Sequence, residues 1–172
     1  MNQVMENILT RRSVRGFNEK PIPREELEQI LKAATYAPSG MNRQTWQFTA
    51  ILNQEKITKL AGLIEKLLDR KGYNFYKPTA LVLTSNLKES RWAKEDNACA
   101  LENMFLAAHS FGIGSVWINQ LQDICDEPEV RQFLNEVGIP AEHDVFGIAA
   151  LGYAEKEPNP LVNKQGIIKI IE

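Results

Sequence analysis

Hydrophobic residues recur along this chain at two spacings, which together predict five helices interspersed with four strands. Helical spacing marks five segments: Val4–Leu9, Leu27–Ala34, Ile57–Leu68, Asp96–Phe111 and Val130–Val137. Alternating or continuous apolar runs mark four strands: Trp46–Asn53, Ala80–Thr84, Ser115–Ile118 and Val145–Tyr153. Helices and strands do not alternate as regularly as in a doubly wound sheet. We therefore predict an α+β fold, a small mixed or antiparallel sheet of about four strands wrapped by helices.

Two apolar segments are unusual. Asp96–Phe111 is apolar on nearly all sides, which is typical of a helix buried in a core or a subunit interface. We expect His109 on this helix to be packed and hydrogen-bonded rather than catalytic. The chain ends with Ile167–Ile171, which contains four isoleucines and one lysine. We expect this end to add as a strand to a sheet edge.

Composition narrows the function classes. A chain of 172 residues with 20 basic and 22 acidic side chains predicts a single domain, residues 1–172, with a net charge of −2. This balance gives no electrostatic reason to expect nucleic acid or membrane as a partner. Cys99 and Cys125 form no zinc-ligand spacing with His109 and His143, so no metal site is predicted. With no signal peptide pattern and no apolar run of spanning length, we expect a cytoplasmic protein.

A basic cluster after the first helix is the strongest candidate binding segment. Arg11, Arg12, Ser13 and Arg15 crowd into five positions and are framed by apolar residues. Guanidinium groups match phosphate oxygens in pairs, and a serine hydroxyl can complete the shell. The alternative is a solvated basic face. Because the whole chain is not basic, a small anionic ligand suits this cluster better than a polymer.

The segment Ala37–Trp46 is a loop dense in hydroxyl and carboxamide side chains, among them Ser39, Asn42 and Gln44. Such groups both donate and accept hydrogen bonds, as needed to hold a heteroaromatic ring edge or a polyol chain. An ordinary Pro-Ser-Gly turn is the alternative. A second connector, Tyr73–Lys77, is rich in aromatic residues, and a mobile lid, a partner contact and a substrate-cavity wall are all open interpretations of it.

The common catalytic motifs are missing. Ser39 lies in no nucleophile elbow, and the chain has no Walker loop. The pair Gly112 and Gly114 follows a predicted helix, and Trp117 occupies the third glycine position of a dinucleotide fingerprint, so we reject that motif. If the protein is an enzyme, a cofactor therefore carries the chemistry. A phosphate clamp, an amide-rich loop and a buried strand end together are what a flavin mononucleotide (FMN) site needs.

The ordered motifs resemble the nitroreductase family of FMN-dependent oxidoreductases. The motifs are RRSVRGF at 11–17, APSGMNRQTW at 37–46, ENM at 102–104, FGIGSVWI at 111–118 and ALGY at 150–153. The resemblance covers nearly the whole chain in order. It implies a homodimer with two shared sites, in which the tail, about 158–172, extends onto the partner.

The resemblance also implies roles for individual residues. Arg11 and Ser13, with Arg12 between them, would hold the FMN phosphate and ribityl chain, and Arg15 would lie by the pyrimidine end of the ring. The loop residues would reach the flavin bound mainly by the other subunit; they are Pro38, Ser39, Gly40, Asn42 and Gln44. A further segment resembles the stretch whose backbone amides approach flavin N5 and O4; it comprises Trp117, Ile118, Asn119 and Gln120, with the Asn119 backbone near N5.

One departure from the family pattern concerns the phosphate clamp. Members usually carry an arginine near the tail, whereas this chain offers only Lys164 there. The clamp would then rest more on Arg11, Arg12 and Ser13.

The implied activity is transfer of a hydride from NADH or NADPH to a nitroaromatic, quinone or similar small acceptor by a ping-pong mechanism, with no catalytic side chain. Two alternatives remain open. One is a specialised flavin reaction on the same fold, such as reductive dehalogenation or flavin destruction. The other is a flavin-binding dimer with little turnover.

Overall fold

The computed structural model describes residues 2–157 and 164–172. Within them the chain forms five α-helices: α1 Gln3–Thr10, α2 Arg24–Thr35, α3 Gln54–Leu68, α4 Ala93–Ser110 and α5 Pro128–Glu136. It also forms four strands: β1 Gln47–Ile51, β2 Ala80–Leu87, β3 Gly114–Ile118 and β4 His143–Gly152. The predicted α+β class, the helices and the strands are confirmed, although several boundaries differ. None of the described helices is long and apolar enough to cross a membrane.

The four strands form one sheet in the order β1-β2-β4-β3, and all three strand pairs are antiparallel. The central strands β2 and β4 are buried along nearly their whole length, as the apolar run Ala80–Thr84 predicted. The strand β2 continues three residues past Thr84, with a register shift between Thr84 and Ser85. Polar side chains in this extension are buried and hydrogen-bonded, which the apolar pattern alone does not reveal.

Each face of the sheet carries its own core, because successive strand residues point to opposite faces. On one face, Leu81 and Ile148 pack with Leu60 and Ile64 of α3 and Phe133 of α5. On the other face, the packed residues come from α2, α4 and the strands; they include Leu27, Ile30, Leu101, Met104, Val82 and Ala149. The sheet is therefore enclosed between two helical layers, and α4 is the buried helix that its apolar pattern predicted.

Two apolar surfaces stay uncovered in the single chain. The first is the stripe of α1, whose residues Val4, Met5, Ile8 and Leu9 are 44–67% exposed. The second is the C-terminal segment 164–172, which forms neither helix nor strand and whose four isoleucines are at least 85% exposed. Residues 158–163 of the predicted tail lie outside the described residues. Addition of the tail to a sheet edge of a partner stays a prediction.

A buried histidine joins the two central strands near the register shift. The Nδ1 atom of His143 lies 3.1 Å from the Ser85 hydroxyl. Burial lowers the pKa of His143, against a smaller opposing effect of the Glu142 charge. The ring is therefore held neutral around pH 7. Nearby, Asp126 accepts hydrogen bonds from Lys88 and Arg131, which lower the pKa of its carboxyl group.

We expect the free energy of unfolding to decrease as the pH falls below about 6.5, the ordinary pKa of histidine. The unfolded chain binds this proton more tightly than the buried ring, so stability is complete above that pH and is lost below it. The substitution His143→Gln removes this titration while keeping an amide beside Ser85. Urea unfolding at intervals from about pH 8 to pH 5 should then show a shallower decrease than in the unsubstituted chain.

His109→Gln serves as the matched variant, because the pKa of His109 is also lowered and contributes its own part of the slope. The carboxyl group of Asp126 titrates at lower pH, so it does not contribute to the slope in the pH range of the measurement. An identical slope in His143→Gln and the unsubstituted chain would contradict the assignment.

Candidate functional site

The arginine-rich segment leaves α1 and runs along the edge of β3. The Val14 N–H donates to the Ser115 carbonyl at 2.9 Å, and Ser13 forms a parallel bridge with Ser115. The side chains of Val14 and Phe17 are buried in the core. Alternation along this extended stretch leaves Ser13 and Arg15 exposed between the anchors. Val14 and Phe17 therefore anchor the cluster to the core, whereas Leu9 on its N-terminal side is exposed.

Two glycines make this close approach possible. A Cβ atom on Gly114 would lie 2.8 Å from Val14 Cγ2, and one on Gly152 would lie 3.0 Å from the Phe17 ring. Any side chain at either position would push the arginine-rich segment away from the sheet. Close packing therefore requires glycine at positions 114 and 152, and this packing fixes the position of the arginine-rich segment.

Arg11 and Arg12 line a cavity of about 210 Å³ together with Gly112–Ser115. The Arg11 Nε atom lies 3.4 Å from a carboxylate oxygen of Glu102, and the guanidinium carbon lies 6.0 Å from the centre of the Phe105 ring. The same Nε atom is buried and has no hydrogen-bond partner among the described residues. A buried donor without an acceptor is costly, and an anionic oxygen in this cavity would satisfy it. These residues therefore fit a phosphate group.

His109 lines the same cavity, and its position was not predicted as part of the site. Its Nε2 atom lies 2.8 Å from the Thr10 hydroxyl, which donates its own hydrogen to the Glu6 carbonyl at 2.7 Å. Because that hydroxyl has one hydrogen, Nε2 carries the proton of the neutral ring. Burial and the Arg11 charge lower the pKa of His109. The histidine is hydrogen-bonded, as expected, but its environment is the arginine cavity rather than the central core.

A second cavity, of about 380 Å³, adjoins the first, since Val14 lines both. Ser13, Arg15 and Gly16 form one wall, and Glu155–Glu157 form the other. The segment 11–16 thus presents its cationic and hydroxyl groups to two connected spaces. This arrangement suits a ligand with an anionic group at one end and further polar groups beyond it.

The segment that follows β3 lies at the far end of that strand. The Trp117 side chain is partly exposed, whereas Ile118 is buried. The Asn119 N–H donates to Oε1 of Gln120 at 3.2 Å, and the same oxygen accepts from the Tyr73 hydroxyl at 3.3 Å. A backbone donor is therefore available at the surface beside an aromatic residue of the 73–77 connector.

The amide-rich loop forms a 3₁₀ turn at Gly40–Asn42 and is held by hydrogen bonds within itself. The Gln44 side chain donates to Asn42 at 2.7 Å, and the Gln44 N–H donates to the Ser39 hydroxyl at 3.3 Å. Pro38, Asn42 and Gln44 are exposed. Met41, Asn42 and Gln44 have positive φ angles of 53°, 56° and 51°. Backbone strain of this kind is concentrated at functional sites.

The loop is fastened to the first turn of α4. The Gly40 N–H donates to the buried carboxylate of Asp96 at 2.8 Å, and a Cβ atom on Gly40 would lie 2.5 Å from the Trp92 ring. Thr45 donates to Asn86 of β2, whose side chain donates in turn to Asn97. These contacts place Ser39, Gly40, Asn42 and Gln44 at the N-terminal end of the buried helix.

The arginine-rich segment contacts a later part of the same helix. Asp96 holds the loop, whereas Arg11 lies beside Glu102 and the preceding Thr10 contacts His109. At 1.5 Å per residue, Glu102 and His109 lie roughly 9 and 20 Å along the helix axis from Asp96. The structure therefore brings Arg11, Arg12, Ser13 and the start of β3 together. It does not bring the amide-rich loop to them within one chain.

Two further expectations concern single segments. Lys164 is exposed, and no hydrogen bond or ion pair joins it to the arginine-rich segment in the part of the chain that the structure describes.

The connector Tyr73–Lys77 is not free to move as a whole, because Phe75 is fully buried in the core. All three aromatic residues border one cavity, and the Phe75 ring also anchors the segment in the core.

Comparisons with known proteins identify the family of this chain. A model of the nitroreductase family matches residues 8–80 and 71–153. A nitroreductase with bound FMN from Bacteroides fragilis is 43% identical, with 100% of both chains covered and a TM-score of 0.95. FMN reductase (NAD(P)H) of Bacillus subtilis is 31% identical, covering 96% of this chain and 74% of that protein. Iodotyrosine deiodinase of Thermotoga neapolitana is 28% identical, covering 92% and 91%. The chain belongs to the nitroreductase family.

Proposed function

We propose that this chain, an NAD(P)H-dependent flavin oxidoreductase with FMN as its cofactor, works as a homodimer that reduces a small nitroaromatic or quinone acceptor by a ping-pong mechanism. The observation that carries the proposal is the buried Nε atom of Arg11, which makes no hydrogen bond although Glu102 lies 3.4 Å away, in a residue that lines a cavity beside Ser115. Bound FMN supplies the hydride chemistry, which needs no side-chain nucleophile. Support also comes from the 43% identity to a nitroreductase with bound FMN.

The residues of this chain bind and orient the cofactor. Arg11, Arg12 and Ser13 would hold the phosphate and the ribityl chain, and Arg15 would place its positive charge by the pyrimidine end of the ring. The segment 117–120, with the Asn119 N–H, would donate at the N5 and O4 edge. Lys164 would reach the phosphate from the tail. These roles make the whole chain, residues 1–172, one flavin-binding domain.

A second copy of the chain would complete each site. Pro38, Ser39, Gly40, Asn42 and Gln44 are held at the N-terminal end of α4 and make no contact with the arginine-rich segment among the described residues, so they would contribute to the flavin of the partner. The exposed apolar stripe of α1 and the isoleucines of the tail are the kind of surface that a dimer buries.

The substitution Arg11→Ala should weaken FMN binding by about 10- to 100-fold, because it removes charge-assisted hydrogen bonds to the phosphate. Riboflavin, which lacks the phosphate, is the matched ligand and should bind both proteins with similar affinity. Quenching of flavin fluorescence on titration measures both. Equal losses for FMN and riboflavin would mean that Arg11 acts on something other than the phosphate.

The substitution Arg15→Ala should retain FMN but slow its reduction by NADH or NADPH, since a cation by the ring stabilises the negative charge gained on reduction. Anaerobic stopped-flow measurement of flavin bleaching gives the rate with each nucleotide. If the purified protein shows no flavin absorption and no FMN binding, the proposed function is wrong. If it binds FMN tightly but NAD(P)H does not bleach it, the protein is a flavin-binding dimer with little turnover.

Subunit complementation tests the shared site. An Arg11→Ala chain and an Asn42→Ala, Gln44→Ala chain should each lose most FMN binding as homodimers. After they are unfolded together and refolded as a mixture, half of the dimers are mixed, and each mixed dimer has one intact site. About a quarter of the FMN sites should therefore return. No recovery in the mixture would show that each site is built from a single chain.

Reductive dehalogenation is the second candidate activity, and the specific observation that favours it is the similarity to an iodotyrosine deiodinase over 92% of this chain. Product analysis with a halogenated phenol and with a nitroaromatic of similar size would separate the two. Release of halide at a rate comparable to nitro reduction would favour dehalogenation. Loss of the flavin itself during turnover would point to flavin destruction.

A further inference from the structure

A third cavity, of about 320 Å³, lies between the end of α3 and the segment after β3. We call it the connector cavity; it is lined chiefly by Arg70, Lys71, Tyr73, Tyr76 and Gln120. Its volume is at the lower end of the range of small-molecule sites, which suits a single substituted ring rather than a dinucleotide. None of these residues except Gln120 belongs to the FMN site described above.

Two cations of the connector cavity are unneutralised. Arg70 and Lys71 form no ion pair within residues 2–157 and 164–172, whereas Lys59 and Lys66 of the preceding helix pair with glutamates at 2.8 and 2.6 Å. Two acidic residues lie close in the sequence, but Glu65 accepts a hydrogen bond from the Gly72 N–H at 2.9 Å, and neither Glu65 nor Asp69 lines the cavity. The cavity therefore presents net positive charge to whatever enters it.

The aromatic wall is rigid. Tyr73 packs edge-on against Phe75, with ring centroids 4.9 Å apart, and Phe75 is fully buried. Burial raises the pKa of Tyr73, and so does the neighbouring Tyr76, so the Tyr73 hydroxyl stays protonated and donates to Gln120. Tyr76 is 40% exposed. A planar ligand in the connector cavity would contact Tyr73, whose position is fixed, and Tyr76, whose side chain is accessible.

The backbone of this wall is strained. Phe75, Tyr76 and Lys77 have consecutive φ angles of 52°, 67° and 58°, a left-handed conformation that non-glycine residues rarely adopt. Such a conformation costs free energy and persists only where the surroundings enforce it. Burial of the Phe75 ring enforces it here. Strain retained in bulky residues is typical of a ligand-binding segment.

The connector cavity also borders the reacting edge assigned above, because Gln120 lines it and follows Asn119, the backbone donor proposed for flavin N5. We propose that the cavity binds an aromatic acceptor bearing a carboxylate, with the ring against the tyrosines and the carboxylate on Arg70 and Lys71. This inference rests on the proposed function and names its substrate class.

The reaction then balances without a further reactant. One hydride, which carries the electron pair of NAD(P)H, and one proton from solvent convert the nitro group to a nitroso group. One N–O bond breaks, and water leaves. Arg70 and Lys71 act by binding the carboxylate and take no part in the transfer.

The test compares 4-nitrobenzoate with neutral 4-nitrobenzyl alcohol, using the FMN-loaded protein. In an Arg70→Gln, Lys71→Gln variant, the ratio of kcat/KM for the acid to that for the alcohol should fall by about 10- to 100-fold. A Lys32→Gln, Lys56→Gln variant carries the same charge change on exposed lysines outside the cavity and should keep the ratio. In the unsubstituted protein, the ratio should also fall as salt is raised.

Calorimetric titration with benzoate gives a readout that does not depend on turnover. Benzoate should bind the unsubstituted protein at least about 10-fold more tightly than the cavity variant. A ratio unchanged in both variants, with normal reduction of the alcohol, would overturn this inference and leave the proposed function intact. If NADPH reduces the cavity variant more slowly but the acid-to-alcohol ratio is retained, Arg70 and Lys71 bind the nucleotide instead. That result would also overturn this inference. Absence of FMN binding or of reduction by NAD(P)H would instead be a failure of the proposed function.

Discussion

The structure depends on the burial of α4 between the sheet and α2. One side of this helix is buried along its whole length, at residues from Ala93 to Ala108, which fixes the helix across one face of the sheet. Its first turn holds the amide-rich loop through Asp96, its middle contacts Arg11 through Glu102, and its last turn contacts Thr10 through His109. Because the helix is fixed in length, the amide-rich loop and the arginine-rich segment keep their separation in any one chain. In the proposed function, a site shared between two chains would let both sets of groups reach one ligand.

Close packing also fixes the position of the arginine-rich segment. Val14 and Phe17 fill the space left by Gly114 and Gly152, so the alternating residues Ser13 and Arg15 have little freedom in position. Preorganised donors lose less entropy when they bind an anion than donors on a free loop. In the proposed FMN site, the core packing of Val14 and Phe17 would therefore contribute to the affinity of the segment for the phosphate.

Much of this architecture could be predicted from the sequence, because helical and alternating apolar spacing follow burial directly. The end of β2 could not be predicted, because Ser85 and Asn86 are polar residues of the kind that usually begins a loop. They are tolerated in the buried sheet because His143 and Asn97 satisfy them, and such long-range partners leave no local signal. His109 is a similar case. Its hydrogen bond to Thr10 joins residues 99 positions apart, so its place beside the arginine cavity depends on tertiary structure.

The 73–77 connector shows why a pattern of residue types can mislead about mobility. Three aromatic residues in five positions suggested a lid, yet Phe75 is an anchor, Tyr73 is a hydrogen-bond donor and Tyr76 alone is substantially exposed. The bonds from Tyr73 and Asn119 to the Gln120 side chain, at 3.3 and 3.2 Å, are at the long end of the normal range and are therefore weak. A ligand that takes over the Asn119 N–H would leave Gln120 still bound to Tyr73. In the proposed function, this exchange lets the backbone donor turn to the flavin at little cost, while the anchored connector keeps its shape.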